Sequence, residues 1–139
     1  MSATIAEPVL TVASAEAQPL RIYLWKYRPL IVFAPTPSNA QLVIQRTIVS
    51  MNLAGFRERN IAAIEVTGSG IRSKLGPLPR ATANALRKHC GVAGWQFRAI
   101  LVGKDGGSKL QSSRAMSTRH LFGTIDAMPM RRQEMRRER

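Results

Sequence analysis

The chain has 139 residues, 45% of them apolar and 21% charged, a composition that fits one folded domain and excludes a disordered segment. Its single cysteine, Cys90, excludes a disulfide scaffold, a cysteine-rich zinc finger and any dithiol pair within the chain. Twenty-one Lys and Arg against eight Asp and Glu give a net charge of +13, which favours anionic partners and bears on solubility rather than on fold.

Residues 1–19 are small, polar and broken by prolines, and they predict a flexible leader. Ala13-Ser14-Ala15 and Ala15-Glu16-Ala17 have the form of cleavage sites. Met1 to Val12 has no Lys or Arg, however, and Glu7 and Pro8 cut its apolar stretch, so no working signal peptide is expected. A cytoplasmic location is favoured on that ground; a mis-called start would leave a periplasmic or secreted protein open. The folded domain is expected over residues 20–136, with residues 137–139 as a basic tail end.

Leu30-Ile31-Val32-Phe33-Ala34 is a continuous apolar run closed by Pro35, and it predicts a strand buried on both faces. The longer apolar region to Ile44 is broken by Pro35, Pro37, Ser38 and Asn39, short of the ~20 residues a membrane span needs. Ser38 and Gln41 form a capping box that predicts a helix start. Two stripes follow, Ile44, Ile48 and Met51 beside Leu42, Val49, Leu53 and Phe56, which together predict a wide buried arc ending at Gly55.

Ile61 to Val66 reads as a second strand, and Thr67 to Pro79 as a long loop punctuated by Gly and Pro. Arg80 to Cys90 predicts a short helix stopped by Gly91. Phe97 to Val102 is a third strand, Lys104-Asp105-Gly106-Gly107 a hairpin turn, and Ser108 to Ser112 the antiparallel return. Ser117 caps a last helix with Leu121, Ile125 and Met128 on one face and Phe122 beside them; Pro129 breaks it and can open another helical segment. The order strand, helix, strand, helix, strand, strand, helix predicts an α/β fold of thioredoxin-like type, with a central mixed four-stranded sheet flanked by helices.

Three segments carry a family resemblance: Trp25 to Pro35, Leu101 to Leu110, and Ile125 to Met135, the last containing the uncommon string Asp126-Ala127-Met128-Pro129-Met130-Arg131. Over about residues 20 to 136 the chain resembles the P-DUDES domain, a domain of unknown function found in bacteria and within animal extracellular proteins. That resemblance implies a thioredoxin-like fold related to peroxiredoxins, and it implies little about activity.

Thioredoxin-like enzymes place a reactive cysteine after the first strand, where a helix N-terminus stabilises the thiolate. Here that place is Pro35-Thr36-Pro37-Ser38-Asn39, without a cysteine, and the residues before Phe97 are Gly94-Trp95-Gln96, without the proline typical of thioredoxins. Cys90 beside His89 is the other thiol reading, but adjacent helical residues point about 100° apart and a helix C-terminus disfavours a thiolate. Lys104 with Asp105 reads as turn chemistry or as a small polar site. Asp126 with Arg131 and Arg132 can lock the tail to the body, with Trp25 and Arg28 completing the lock; its functional version is an anion site built from Arg28, Arg131 and Arg132. Met128, Met130, Met116 and His120 have donors that suit Cu(I), yet such methionines more commonly fill cores or interfaces.

The favoured reading is a redox-inactive binding module whose partner is a protein or an anionic ligand, with no cofactor, no metal and no membrane span; an enzyme is not favoured. Its signature or anion-contact candidates are Trp25, Arg28, Lys104, Asp105, Asp126, Met128, Pro129, Met130, Arg131 and Arg132. Two alternatives are a divergent thiol-dependent oxidoreductase using Cys90 and a basic nucleic-acid-binding protein. The five Arg and two Glu of Arg131 to Arg139 leave +10 on the rest of the chain, so the charge is spread and not gathered in an arm. With 6% aromatic residues, stacking on single strands is poorly served.

Overall fold

The computed structural model describes residues 18–138. The leader expected over residues 1–19, with its cleavage-like tripeptides, lies outside the described residues up to residue 17. After a 3-10 turn at Arg21–Tyr23 the elements are β1 (Arg28–Ala34), α1 (Ala40–Ser50), α2 (Leu53–Glu58), β2 (Ile61–Thr67), β3 (Gly70–Leu75), α3 (Ala83–Cys90), β4 (Arg98–Val102), β5 (Ser108–Ser112), α4 (Thr118–Asp126) and α5 (Pro129–Glu138).

The sheet is mixed, in the order β3-β2-β1-β4-β5. β1 runs parallel to β2, with Ile31 opposite Ile64, and antiparallel to β4, with Ile31 opposite Ile100. Every residue of β1 is buried. Leu30, Val32 and Ala34 join Leu42, Val49, Phe56, Leu121 and Ile125 under α1, α2 and α4. Ile31 and Phe33 face the other way, into a layer with Tyr23, Leu86 and Val92. The period-two alternation of a strand thus divides one apolar run between two cores.

Among the described residues five strands are present where four were expected. The loop read over Thr67 to Pro79 contains β3, which pairs antiparallel with β2 through a two-residue turn at Gly68-Ser69. Gly68 has φ +55°, the positive angle that such a turn asks of its first residue. β3 is an edge strand with Arg72, Ser73 and Lys74 exposed. Only Ile71 and Leu75 are partly covered, one on each core, so no apolar alternation runs through its centre, and its cations discourage further pairing.

The first helix also differs from expectation. Its N-cap is Asn39, not Ser38: the Asn39 Oδ1 accepts from the amides of Gln41 at 3.1 Å and Leu42 at 3.2 Å. The predicted wide arc is narrower, because Ile44 and Met51 face solvent at 46% and 77% exposure. Gln45 takes a buried place instead, exchanging hydrogen bonds with both main-chain groups of Met116 at 3.0 and 2.7 Å. The arc breaks at Met51-Asn52, and Gly55 sits inside α2 rather than stopping a helix. The following short helix begins at Ala83, capped by Thr82, three residues later than Arg80.

Gly55 is there for space. A Cβ on it would meet the Phe122 ring at 2.7 and 2.9 Å. Gly55→Ala gains about 1 kcal/mol of helix propensity but overpacks this contact at a cost of roughly 1–3 kcal/mol. Net destabilisation of about 1 kcal/mol is expected in urea melts; a stabilised variant would show that Phe122 yields freely.

Candidate functional site

β1 begins with a charge that it buries completely. Arg28 is 0% exposed. Such a cation needs a partner, and it comes from the far end of the chain. Arg28 donates to both carboxylate oxygens of Glu134 on α5, at 3.2 and 3.1 Å, and to the main-chain carbonyl of Arg59 at 2.8 Å. Lys104, after β4, donates to the same Glu134 at 2.7 Å and to Asn60 Oδ1 at 2.9 Å.

A second carboxylate centre lies alongside. Arg59 grips Asp126 with two bonds, at 3.0 and 2.9 Å, and its guanidinium stacks 4.0 Å above Phe122. Arg131, 1% exposed, links the two centres. It donates to Asp126 at 3.3 Å and to Glu58 at 2.7 Å, and lies 3.8 Å from Glu134. The network ties the C-terminal segment to β1, to the end of α2 and to the turn after β4.

The predicted site residues divide accordingly. Asp126, Arg131, Arg28 and Lys104 meet in this network. Arg132, adjacent to Arg131 on α5, is exposed and points elsewhere. Asp105 turns away from Lys104: its carboxylate accepts from the amide of Gly107 at 2.9 Å and from Lys109 at 3.1 Å, holding a turn in which Gly106 has φ +86°. Trp25, 64% exposed, stands beside the network with its amide bonded to the Lys104 carbonyl at 2.8 Å. Its φ of +64° is costly for a bulky residue. Met116 is buried in one core, Met128 packs half-buried against it, and Met130 is exposed, so these thioethers serve different surroundings. Among the described residues no group of three His, Cys, Asp or Glu side chains could hold a metal ion.

Glu134, Glu58, Arg59 and Asn60 are the residues that sequence reading missed. A signal for Glu134 exists: Arg28 opens a strand with no exposed position, which demands a carboxylate, and the chain has only eight.

Burial works against ionisation of Glu134 and Asp126, but hydrogen bonds and charge from Arg28 and Lys104, and from Arg59 and Arg131, outweigh it and hold both carboxyls below their ordinary values. In the unfolded chain such groups take up protons at roughly pH 4, before the folded chain does. The unfolded state therefore binds more protons below about pH 5, and folding stability falls there as pH falls. The melting temperature is expected to hold steady from neutral pH to about 6 and to decline below about 5. Glu134→Gln should make that decline shallower; an identical slope would remove Glu134 from the acid response.

The first turn of α5 and the turn after β4 enclose a cleft of about 270 Å³ with Arg28 in its lining.

Comparison with known proteins gives three related findings. The family model described as "Domain of unknown function (DUF4174)" matches residues 19–134. Similar curated proteins are the sushi repeat-containing protein SRPX of Rattus norvegicus, 31% identical over 116 residues, and that of Homo sapiens, 30% over 114 residues. Each match covers 79% of this chain and 25% of the relative, so the chain spans about a quarter of their length. No solved structure gives a significant match. No helix among the described residues is long and apolar enough to cross a membrane.

Proposed function

The chain belongs to the DUF4174 family of domains of unknown function, and from that footing we propose that it is a binding module on a thioredoxin-like scaffold with no thiol chemistry of its own. The observation that carries this reading is the amino end of α1. In a thiol enzyme of this architecture the free amides there stabilise a thiolate. Here they are spent on Asn39, whose side chain accepts from two of them, and Thr36 and Ser38 next to it have hydroxyls too basic to replace sulfur.

Cys90 supports the same reading. It is half-buried at the last turn of α3, and burial pushes its thiol up to about 11. At pH 7 that leaves only about one thiolate in ten thousand. Support for the scaffold comes from the crossover between parallel β1 and β2, the antiparallel β4–β5 hairpin and the closing helix, with β3 as an addition at one edge. The P-DUDES resemblance points the same way. In the SRPX relatives the matched stretch is one part of a longer chain, as a binding module would be.

The test is turnover of a protein disulfide and of hydrogen peroxide by the wild type and by Cys90→Ser. Both are expected at the uncatalysed rate. Turnover in the wild type that Cys90→Ser abolishes would replace this reading with the oxidoreductase one.

A further inference from the structure

α1 is apolar on both of its faces. Leu42 and Val49 enter the core beneath it, while Val43, Ile44 and the C-cap residue Met51 are exposed, with Ile48 half-buried beside them. Thr47, in the middle of this outer face, engages its hydroxyl with the Val43 carbonyl at 2.8 Å. The one charge on the helix, Arg46, points elsewhere and grips Glu65 with two bonds of 2.9 Å. A helix that is apolar all round is normally covered all round, and four neighbouring apolar residues are not the scattered exposure of an ordinary surface.

α4 forms the wall beside this face. Gln41 accepts from the Ala115 amide at 2.8 Å, Gln45 holds Met116, and further along Phe56 meets Phe122 with ring centroids 5.1 Å apart. α4 therefore follows α1 and α2 in the same direction. Arg119 lies one turn before Phe122, on the side of α4 turned to α1. Arg119 and Arg114 are exposed and have no ion pair among the described residues. The neighbouring charges are committed to one another: Arg46 to Glu65, Arg59 to Asp126 and Glu58 to Arg131. Arg57 and His120, both exposed, add no negative charge.

We propose that the outer face of α1 docks an acidic amphipathic helix of another protein, its apolar side on Val43, Ile44, Ile48 and Met51 and its carboxylates against Arg114 and Arg119. The strip sets the length: Ile44 to Met51 spans about 10 Å along the helix axis, roughly two turns of an opposing helix. Charge sets the sign. Every carboxylate among the described residues lies 3.7 Å or less from a cation, so this chain has no negative charge to spare. A second copy would bring further cations to the same face, whereas an acidic partner complements it. The inference gives a partner class to the binding module proposed above and rests on that reading.

The experiment uses the full chain, methyl-labelled at Ile and Met. It is titrated with a synthetic helical peptide carrying leucine on one side and glutamate on the other, and with the same peptide carrying lysine in place of glutamate. The glutamate peptide is expected to give saturating shifts of the Ile44, Ile48 and Met51 methyls that weaken as salt is added, and the lysine peptide none. Ile44→Ser with Met51→Ser alters only exposed side chains; it should keep the melting temperature and weaken binding about tenfold. Arg119→Gln should weaken it about threefold and flatten the salt dependence. If the double variant melts lower, Met51→Ser alone repeats the measurement at the most exposed position. Equal binding of the lysine peptide, shifts confined to other methyls, or serine variants that bind as the wild type does would each overturn the proposal. Shifts at these methyls on concentrating the protein alone would also overturn it, assigning the face to a second copy. Such a failure leaves the redox-inactive module standing, since that reading is judged by Cys90-dependent turnover.

Discussion

Glu134→Ala is expected to destabilise the domain by about 3–5 kcal/mol, among the largest effects of any surface-accessible position in the chain. The Glu134 side chain is 17% exposed, but the partners it leaves are far less so: Arg28 is 1% and Lys104 10% exposed. The cost arises from two cations left close together with their shared carboxylate gone, not from lost methylenes. Charge removal on both sides separates the two origins. In Arg28→Met with Glu134→Met, no buried guanidinium is stranded, and the double variant should be less destabilised than the two single changes added together, by about 1–3 kcal/mol. Urea denaturation at pH 7 measures this. Additive losses would show that each residue acts through packing alone.

Ending the chain after Met130 is expected to cost more still. It removes Glu134 and also Arg131, the residue joining Asp126 and Glu58. Three of the four cations in the network lose a partner or disappear, while the apolar loss is small. Met128 and Met130 both remain, and the methionine removed, Met135, is only half-buried, so ion pairs rather than thioethers are the main loss. Melting should begin at a markedly lower temperature than for Glu134→Ala, with loss of soluble protein on heating. A shortened chain that melts like the full one would mean that α5 rests on the body without holding it.

Much of the sheet was legible because its centre obeys simple periodicities. Leu30 to Ala34 is apolar at every position, and that pattern has one economical reading, a strand with cover on both faces. β3 was not legible for the opposite reason: only Ile71 and Leu75 are partly covered, one on each core, so no apolar run spans it, and only the Gly68-Ser69 turn marks it. Ile44 and Met51 misled because apolar side chains also occur on surfaces, while the buried Gln45 is read as polar until its partners at Met116 are seen. The candidate site was legible as a set of residues and not as a set of pairs. Asp126, Arg131 and Arg28 stand out by their setting, but spacing favours local partners. The bond between Arg28 and Glu134 joins positions 106 residues apart, and neither periodicity nor capping rules reach that far.

That separation also sets an order of events. Synthesis supplies the polypeptide from its amino end, so all five strands exist before the ten residues of α5 have left the ribosome. Until they emerge, the guanidinium that opens β1 has no counterion and stays with water. That helix acts as a clasp, and a nascent chain closes this domain only after α5 has emerged.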